Sequence, residues 1–193
     1  MLLAVFSVPP ILTSVVLPRA ELSAARLDGE LFPVDDGWVC ADEPDSPELR
    51  ARALGALLPR SVASGRLVMI GLTAAWLHGA TDVPPPRHEV CSRSDERAGV
   101  RLPHRFVLRE LSLADEEECR IGPLRVTTPA RTAFDIGRRE PLGQRDLLVL
   151  QALVLRYRIV PSDLVGVRAT PLPGRRRSLD RIAAVAAQPP LTR

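Results

Sequence analysis

Apolar positions along this 193-residue chain alternate between helical and period-two spacing. Near the front, Arg19–Leu27 sets Leu22 and Ala25 or Arg26 on one side, the spacing of a short helix. Pro18 stands where a first helical residue would, and Gly29 is its stop. Glu30–Val34 and Trp38–Ala41 flank Asp35-Asp36-Gly37 and read as a β-hairpin, with Asp-Gly supplying the positive φ of a tight turn. After the loop Ala41–Glu48, Ser46 and Pro47 make an N-cap and first-turn pair for a helix running to about Leu58. That helix turns Leu49, Ala53, Ala56 and Leu57 inward, and Pro59 lies just beyond it. Arg66–Ile70 then alternates as a strand, and Thr73–His78 is a short helix stopped by Gly79. Val83-Pro84-Pro85-Pro86 is an extended connector.

The middle of the chain reads as β. His88–Cys91, Val100–Leu102, Arg105–Leu111 and Leu124–Thr127 have strand periodicity, and Gly122-Pro123 is a turn. Glu116-Glu117-Glu118 reads as a solvated turn face. Helical character returns at Thr128, an N-cap with Pro129 at the first position, and Ala130, Ala133, Phe134 and Gly137 form the packing side. Asp146–Tyr157 is nearly all apolar, which predicts a buried helix. A short helix starts at Pro161 or Ser162. Leu179, Ile182, Ala183 and Ala186 give the last helix an i, i+3, i+4, i+7 face.

These elements predict an α+β fold. A degenerate winged-helix-like segment over residues 1–60 precedes a mixed α/β domain over residues 61–193, with a small sheet and C-terminal helices. The apolar start of the chain is broken by Pro9-Pro10 and lacks a basic leader, so a buried strand is expected there rather than a signal peptide or membrane span. Three widely spaced cysteines, Cys40, Cys91 and Cys119, make no disulfide framework and suit a reducing cytoplasm.

Charge adds a polarity that the pattern does not contain. All 26 basic residues are arginine, a skew that a GC-rich genome explains. Residues 1–48 carry two arginines against nine acids, and residues 123–193 carry thirteen arginines against five acids, giving −7 at the front and +8 at the back. Arginine so dense can face an external acidic or phosphate partner, or pair with the chain's own acidic front.

Candidate chemistry is thin. His88-x-x-Cys91 has a legal zinc spacing, but His104 and Cys119 are too far apart to be the second half-site, and His78 stands alone. The sequence has no nucleophile elbow, no G-x-G-x-x-G and no P-loop, and the absence of lysine excludes any reaction that needs one. No catalytic residue, metal or cofactor is expected. Three arginines at Arg175–Arg177 oppose the macrodipole of the helix they begin, which points toward a partner carrying negative charge. Arg125, Arg131, Arg138 and Arg139 surround the Thr127–Pro129 turn and can join them, and Arg19 and Arg26 are the cations of the acidic front. These nine arginines are the expected nucleic-acid or partner contacts.

Two segments carry a resemblance. Gly71-Leu72-Thr73-Ala74-Ala75-Trp76-Leu77-His78-Gly79, and Gly122 through Ile136 (GPLRVTTPARTAFDI), resemble in order and spacing the two blocks of the AbiEi-type antitoxins common in actinobacteria. Leu17–Ala41 is similar to the winged-helix region of short members. The resemblance implies the antitoxin of a type IV toxin–antitoxin pair, counteracting a nucleotidyltransferase-like toxin and repressing its own operon at promoter DNA. The alternative is a stand-alone DNA-binding transcriptional regulator. Longer relatives continue into an endonuclease-like domain, and the chain reads as a short form without it. Both blocks read first as scaffold, with Trp76 and Leu77 as core anchors and an Arg131–Asp135 pair at i, i+4.

Overall fold

A computed structural model of the chain describes residues 11–58, 67–92, 102–164 and 173–188. The front contains α1 (Arg19–Leu27), the antiparallel hairpin β1 (Leu31–Val34) and β2 (Gly37–Cys40), and α2 (Pro47–Leu57). A five-stranded mixed sheet follows, in the order β5-β4-β3-β7-β6. Its strands are β3 (Leu67–Met69), β4 (His88–Ser92), β5 (Phe106–Arg109), β6 (Glu118–Ile121) and β7 (Leu124–Thr127). Between strands lies α3 (Gly71–Leu77), and after them come α4 (Pro129–Gly137), α5 (Gln144–Tyr157) and α6 (Arg175–Ala186). This is the α+β class that the pattern predicts. No described helix is long and apolar enough to cross a membrane.

Local chemistry sets the helix starts. Ser46 Oγ accepts the Leu49 amide at 3.1 Å and Thr128 Oγ1 accepts that of Arg131 at 3.3 Å, each with proline in the first turn. α1 ends at Gly29, whose φ is +78°. In the hairpin the positive φ falls on Asp35, at 57°, and not on Gly37. Aspartate tolerates the left-handed region, and here both its carboxylate oxygens are held by other residues.

Two cores share α3 as a wall. Trp76 and Leu77 join Leu49, Leu54, Met69, Val90, Phe106 and Val126 between α2, the hairpin and one face of the sheet. Ala75, one position away, faces Phe134, Ile136, Leu150, Leu153 and Ile182 in a bundle with α4, α5 and α6. Ile11, Val34 and Val39 belong to the first cluster, so the front and the sheet bury one common core. Leu12 exchanges backbone hydrogen bonds with Trp38 at 2.8 Å. Of the strand expected at the apolar start, residues 1–10 lie outside the described residues, Leu12 makes only a bridge to Trp38, and residues 14–16 are an exposed turn; most of Val100–Leu102, the boundary at 60, and Arg66, Pro59 and Pro189-Pro190 also lie outside.

Four expectations need correction. α2 buries Leu49, Arg50, Ala51, Ala53 and Leu54, whereas Ala56 is exposed and Leu57 only half-buried, because the Arg50 side chain turns inward to Asp45 and the Trp76 carbonyl. Glu116–Glu118 is not a solvated face: Glu117 is buried, and Glu118 begins β6, a strand its polar sequence hid. α5 is buried on one side only, through Val149, Leu150, Leu153 and Val154, while Leu148 and Leu155 are exposed, because α3, α4 and α6 all pack on the same side. The inward face of α6 is Ser178, Ile182 and Val185, with Ala183 and Ala186 exposed. Ser178 sets this register by donating to the Phe134 carbonyl at 2.8 Å. It can come so close because Gly137 has no Cβ, which would lie 2.5 Å from Ser178 Oγ.

Candidate functional site

The two signature segments meet at the seam between the cores. His78 Nε2 lies 2.7 Å from the Thr127 carbonyl oxygen. A carbonyl only accepts, so this nitrogen carries the proton and donates. Burial lowers the pKa of His78 against the smaller opposing pull of that carbonyl, which keeps the ring neutral. Thr127 and Thr132 hydroxyls are 2.8 Å apart, and Tyr157 donates to the His78 carbonyl at 2.9 Å. The end of β7, α3 and α5 are thus tied through a single histidine, and α4 joins them through Thr127.

That arrangement predicts an acid-sensitive fold. In the unfolded chain His78 takes a proton below its ordinary pKa of 6.5, whereas the folded state resists it, so stability falls as pH drops through that value. Asp35, held low by His88 and Arg105 against burial, adds acid sensitivity only below about its ordinary 3.8. Burial pushes Asp135 up despite Arg131, and this works in the opposite direction. The urea midpoint is expected to be lower at about pH 5.5 than at about pH 7.5, and His78→Gln, which can still donate to Thr127, should shrink the gap. An unchanged gap would remove His78 from the account.

Beside the seam lies an ionic cluster. The Arg131 side chain is 2% exposed and pairs with Glu117, donates through Nε to Asp135 Oδ2 at 2.8 Å, and reaches the Ser112 carbonyl at 3.4 Å. Arg138 adds a contact to Asp135 at 3.4 Å, and Glu117 accepts the Ala114 amide at 2.9 Å. The i, i+4 pair is therefore present, and the signature arginine is an internal anchor.

Most of the other expected contact residues are also engaged within the fold. Arg125 pairs with Glu118 at 2.5 Å, and Arg139 with both Glu89 at 2.5 Å and Asp146 at 2.9 Å. Arg175 lies over the Phe134 ring and reaches the Leu164 carbonyl, and Arg177 pairs with Glu140 at 2.7 Å. Arg176, 96% exposed, has only a 4.0 Å contact with Asp180, and Arg19 and Arg26 are exposed on α1. The acids these pairs use are Glu89, Glu117, Glu118, Asp135, Glu140, Asp146 and Asp180, and none of those lies in residues 1–48.

The front has pairings of its own. Asp35, its side chain 1% exposed, binds His88 Nε2 at 3.1 Å and Arg105 at 2.7 Å, and Arg105 also holds Asp36. The hairpin turn is thereby pinned to the β4–β5 edge. Arg50 grips Asp45 and donates to the Trp76 and Thr81 carbonyls at 2.7 and 2.8 Å, capping the C-terminal end of α3. Sequence reasoning singled out neither Arg50 nor the Asp35–Arg105 pair. The available signal for Arg50 was its place beside Leu49 on a face the pattern buries.

The zinc-spaced pair is dispersed. His88 is committed to Asp35, His104 is exposed, and burial pushes the Cys91 thiol up to about 12, away from the thiolate a metal needs. No group of three or more metal-ligating side chains occurs among the described residues.

The fold and seam thus describe a helix-backed mixed-sheet scaffold whose most distinctive residues hold the structure together. The family model of the AbiEi antitoxin C-terminal domain matches residues 67–170, more than half of the chain and both signature segments. The chain belongs to the AbiEi antitoxin family. Among solved structures, the RV2827C protein from Mycobacterium tuberculosis is similar at 18% identity and a TM-score of 0.45, over 94% of this chain and 73% of that one. No curated protein matches.

Proposed function

We propose that the chain is the antitoxin of a type IV pair, restraining a nucleotidyltransferase-like toxin in the cytoplasm by contact and without catalysis. The family match over residues 67–170 carries this reading. It is supported by the structural use of the deeply set polar groups of the signature residues and around them: Arg131 pairs with Glu117 and Asp135, and His78 donates to the Thr127 carbonyl. The test is to inspect the neighbouring genes for a nucleotidyltransferase-like product and to co-express any such gene with this chain. Growth arrest relieved by this chain supports the reading, and a neighbourhood lacking such a gene, or arrest that the chain does not relieve, overturns it.

Repression of its own promoter draws less support from the front of the molecule. A wing meets DNA through its turn, and here the turn is Asp35-Asp36, pinned against the sheet with Asp35 buried. Duplex binding normally draws on several cationic contacts, and α1 offers Arg19 and Arg26. No promoter shift is expected in a gel assay at physiological ionic strength. A shift that steepens with falling salt and is lost in Arg19→Glu/Arg26→Glu would favour the DNA-binding regulator instead.

A further inference from the structure

Between the hairpin turn and the start of α1 lies a cavity of about 230 Å³, lined by Ser14, Arg19, Ser23, Asp35, Asp36 and Trp38. Local structure brings these residues together. Arg19 and Ser23 are four apart and share one side of α1. The bridge between Leu12 and Trp38 sets the turn from Thr13 to Val16, with Ser14, beside the hairpin. Trp38 is half-buried: part of its indole packs on Leu12, Leu22 and Leu31, and part forms the cavity wall.

The charges around this space do not neutralise one another. Arg19 is exposed and in no ion pair among the described residues, although two aspartates line the same cavity. Asp35 gives its oxygens to His88 and Arg105. Asp36, its side chain 51% exposed, gives Oδ2 to the same Arg105, and its Oδ1 has no partner among the described residues. An isolated anion here would be drawn to Arg19 and opposed by Asp36, and an isolated cation the reverse. A molecule carrying both charges satisfies both: the guanidinium donates two N–H groups to a carboxylate, and Asp36 Oδ1 accepts from an ammonium. The volume lies below the roughly 300–1,000 Å³ of sites for drug-sized ligands, so the molecule that fits is small. An apolar substituent on it would find the indole of Trp38.

We propose that this cavity binds a free amino acid, its carboxylate on Arg19, its ammonium on Asp36 and its side chain on Trp38, and that the ligand fastens α1 to the hairpin turn. The site is independent of the antitoxin reading. Calorimetric titration of the purified full chain with each of the standard amino acids at neutral pH is the experiment. At least one with an apolar side chain should bind with a dissociation constant of about 1 mM or tighter. Its N-acetyl derivative, and the amine that lacks its carboxylate, should each bind at least about tenfold more weakly. Arg19→Gln and Asp36→Asn should each lose at least about tenfold. Arg26→Gln, which removes a cation of α1 that does not line the cavity, should bind within about twofold of wild type. Asp36→Asn also touches the Arg105 pair; where it lowers the thermal midpoint of the free chain, Arg19→Gln decides alone, since Arg19 has no ion pair to lose. Absence of binding by every amino acid at about 10 mM overturns the proposal. Undiminished binding by Arg19→Gln also overturns it, because the ligand would then sit elsewhere. Inorganic phosphate binding as tightly as the amino acid overturns it too, by making the cavity an anion site.

Discussion

Arg131→Met is expected to destabilise the chain by about 3–5 kcal/mol, the usual cost of removing one partner from a buried ion pair. The methionine fills much of the arginine's volume, so loss of packing contributes little. The cost comes from Glu117 and Asp135, two buried carboxyl groups that would lose their shared cation. Arg131→Lys should be nearly as harmful. A single ammonium cannot reproduce one contact through Nη1 and another through Nε to acids on different elements. Adding Glu117→Gln to Arg131→Met should restore part of the loss by replacing one stranded carboxyl group with an amide. Urea unfolding at neutral pH measures all three, and a loss below about 1 kcal/mol for Arg131→Met would show that this cluster is not the anchor described.

The second large effect is expected at Gly71, where two demands coincide. Its φ is +56°, a region that costs an L-residue roughly 1–2 kcal/mol. A Cβ there would also lie 2.3 Å from Glu89 Oε2 and 2.9 Å from Arg139 Nη2. Glu89 would have to move, and Glu89 accepts the Leu72 amide at 3.3 Å and pairs with Arg139. Gly71→Ala would therefore add strain, uncap α3 and loosen the β4–α4 tie, for a combined loss of about 3 kcal/mol. Glu89→Ala alone, measured in the same unfolding assay, separates the two causes. If it matches Gly71→Ala, the backbone strain is negligible.

The parts of this structure that could be read in the sequence are those written in local chemistry. Ser46-Pro47 and Thr128-Pro129 announce their helices, and Leu124–Thr127 alternates as the strand it is. What could not be read depends on groups distant in sequence. Ser178 is polar on a buried face, and its acceptor, the Phe134 carbonyl, lies on α4. A periodicity built on apolar residues therefore set the face of α6 out of register. Glu117 and Glu118 looked solvated because they end a run of four acids, yet Arg131 from α4 and Arg125 from the neighbouring strand β7 pair with them.

The candidate site follows the same logic. Counting arginines located the basic half correctly as a bulk property. It could not tell Arg125, Arg131 and Arg139, spent on internal acids, from Arg145, which donates to backbone carbonyls, or Arg156, which lies over the Tyr157 ring. An apolar run such as Asp146–Tyr157 likewise does not say how many sides have neighbours. Only the packing of α3, α4 and α6 on one side of α5 exposes the other.

Restraint by contact has a stoichiometry, and that gives the most direct test. Nucleotidyl transfer by the purified toxin is titrated with increasing amounts of the wild-type chain at toxin concentrations well above the dissociation constant. The account predicts that activity falls linearly to a break at a fixed molar ratio that does not change with incubation time. Complete inhibition by a small fraction of an equivalent, deepening with time, would mean that the chain acts as a catalyst. No inhibition at several equivalents would mean that it does not restrain the toxin by binding it.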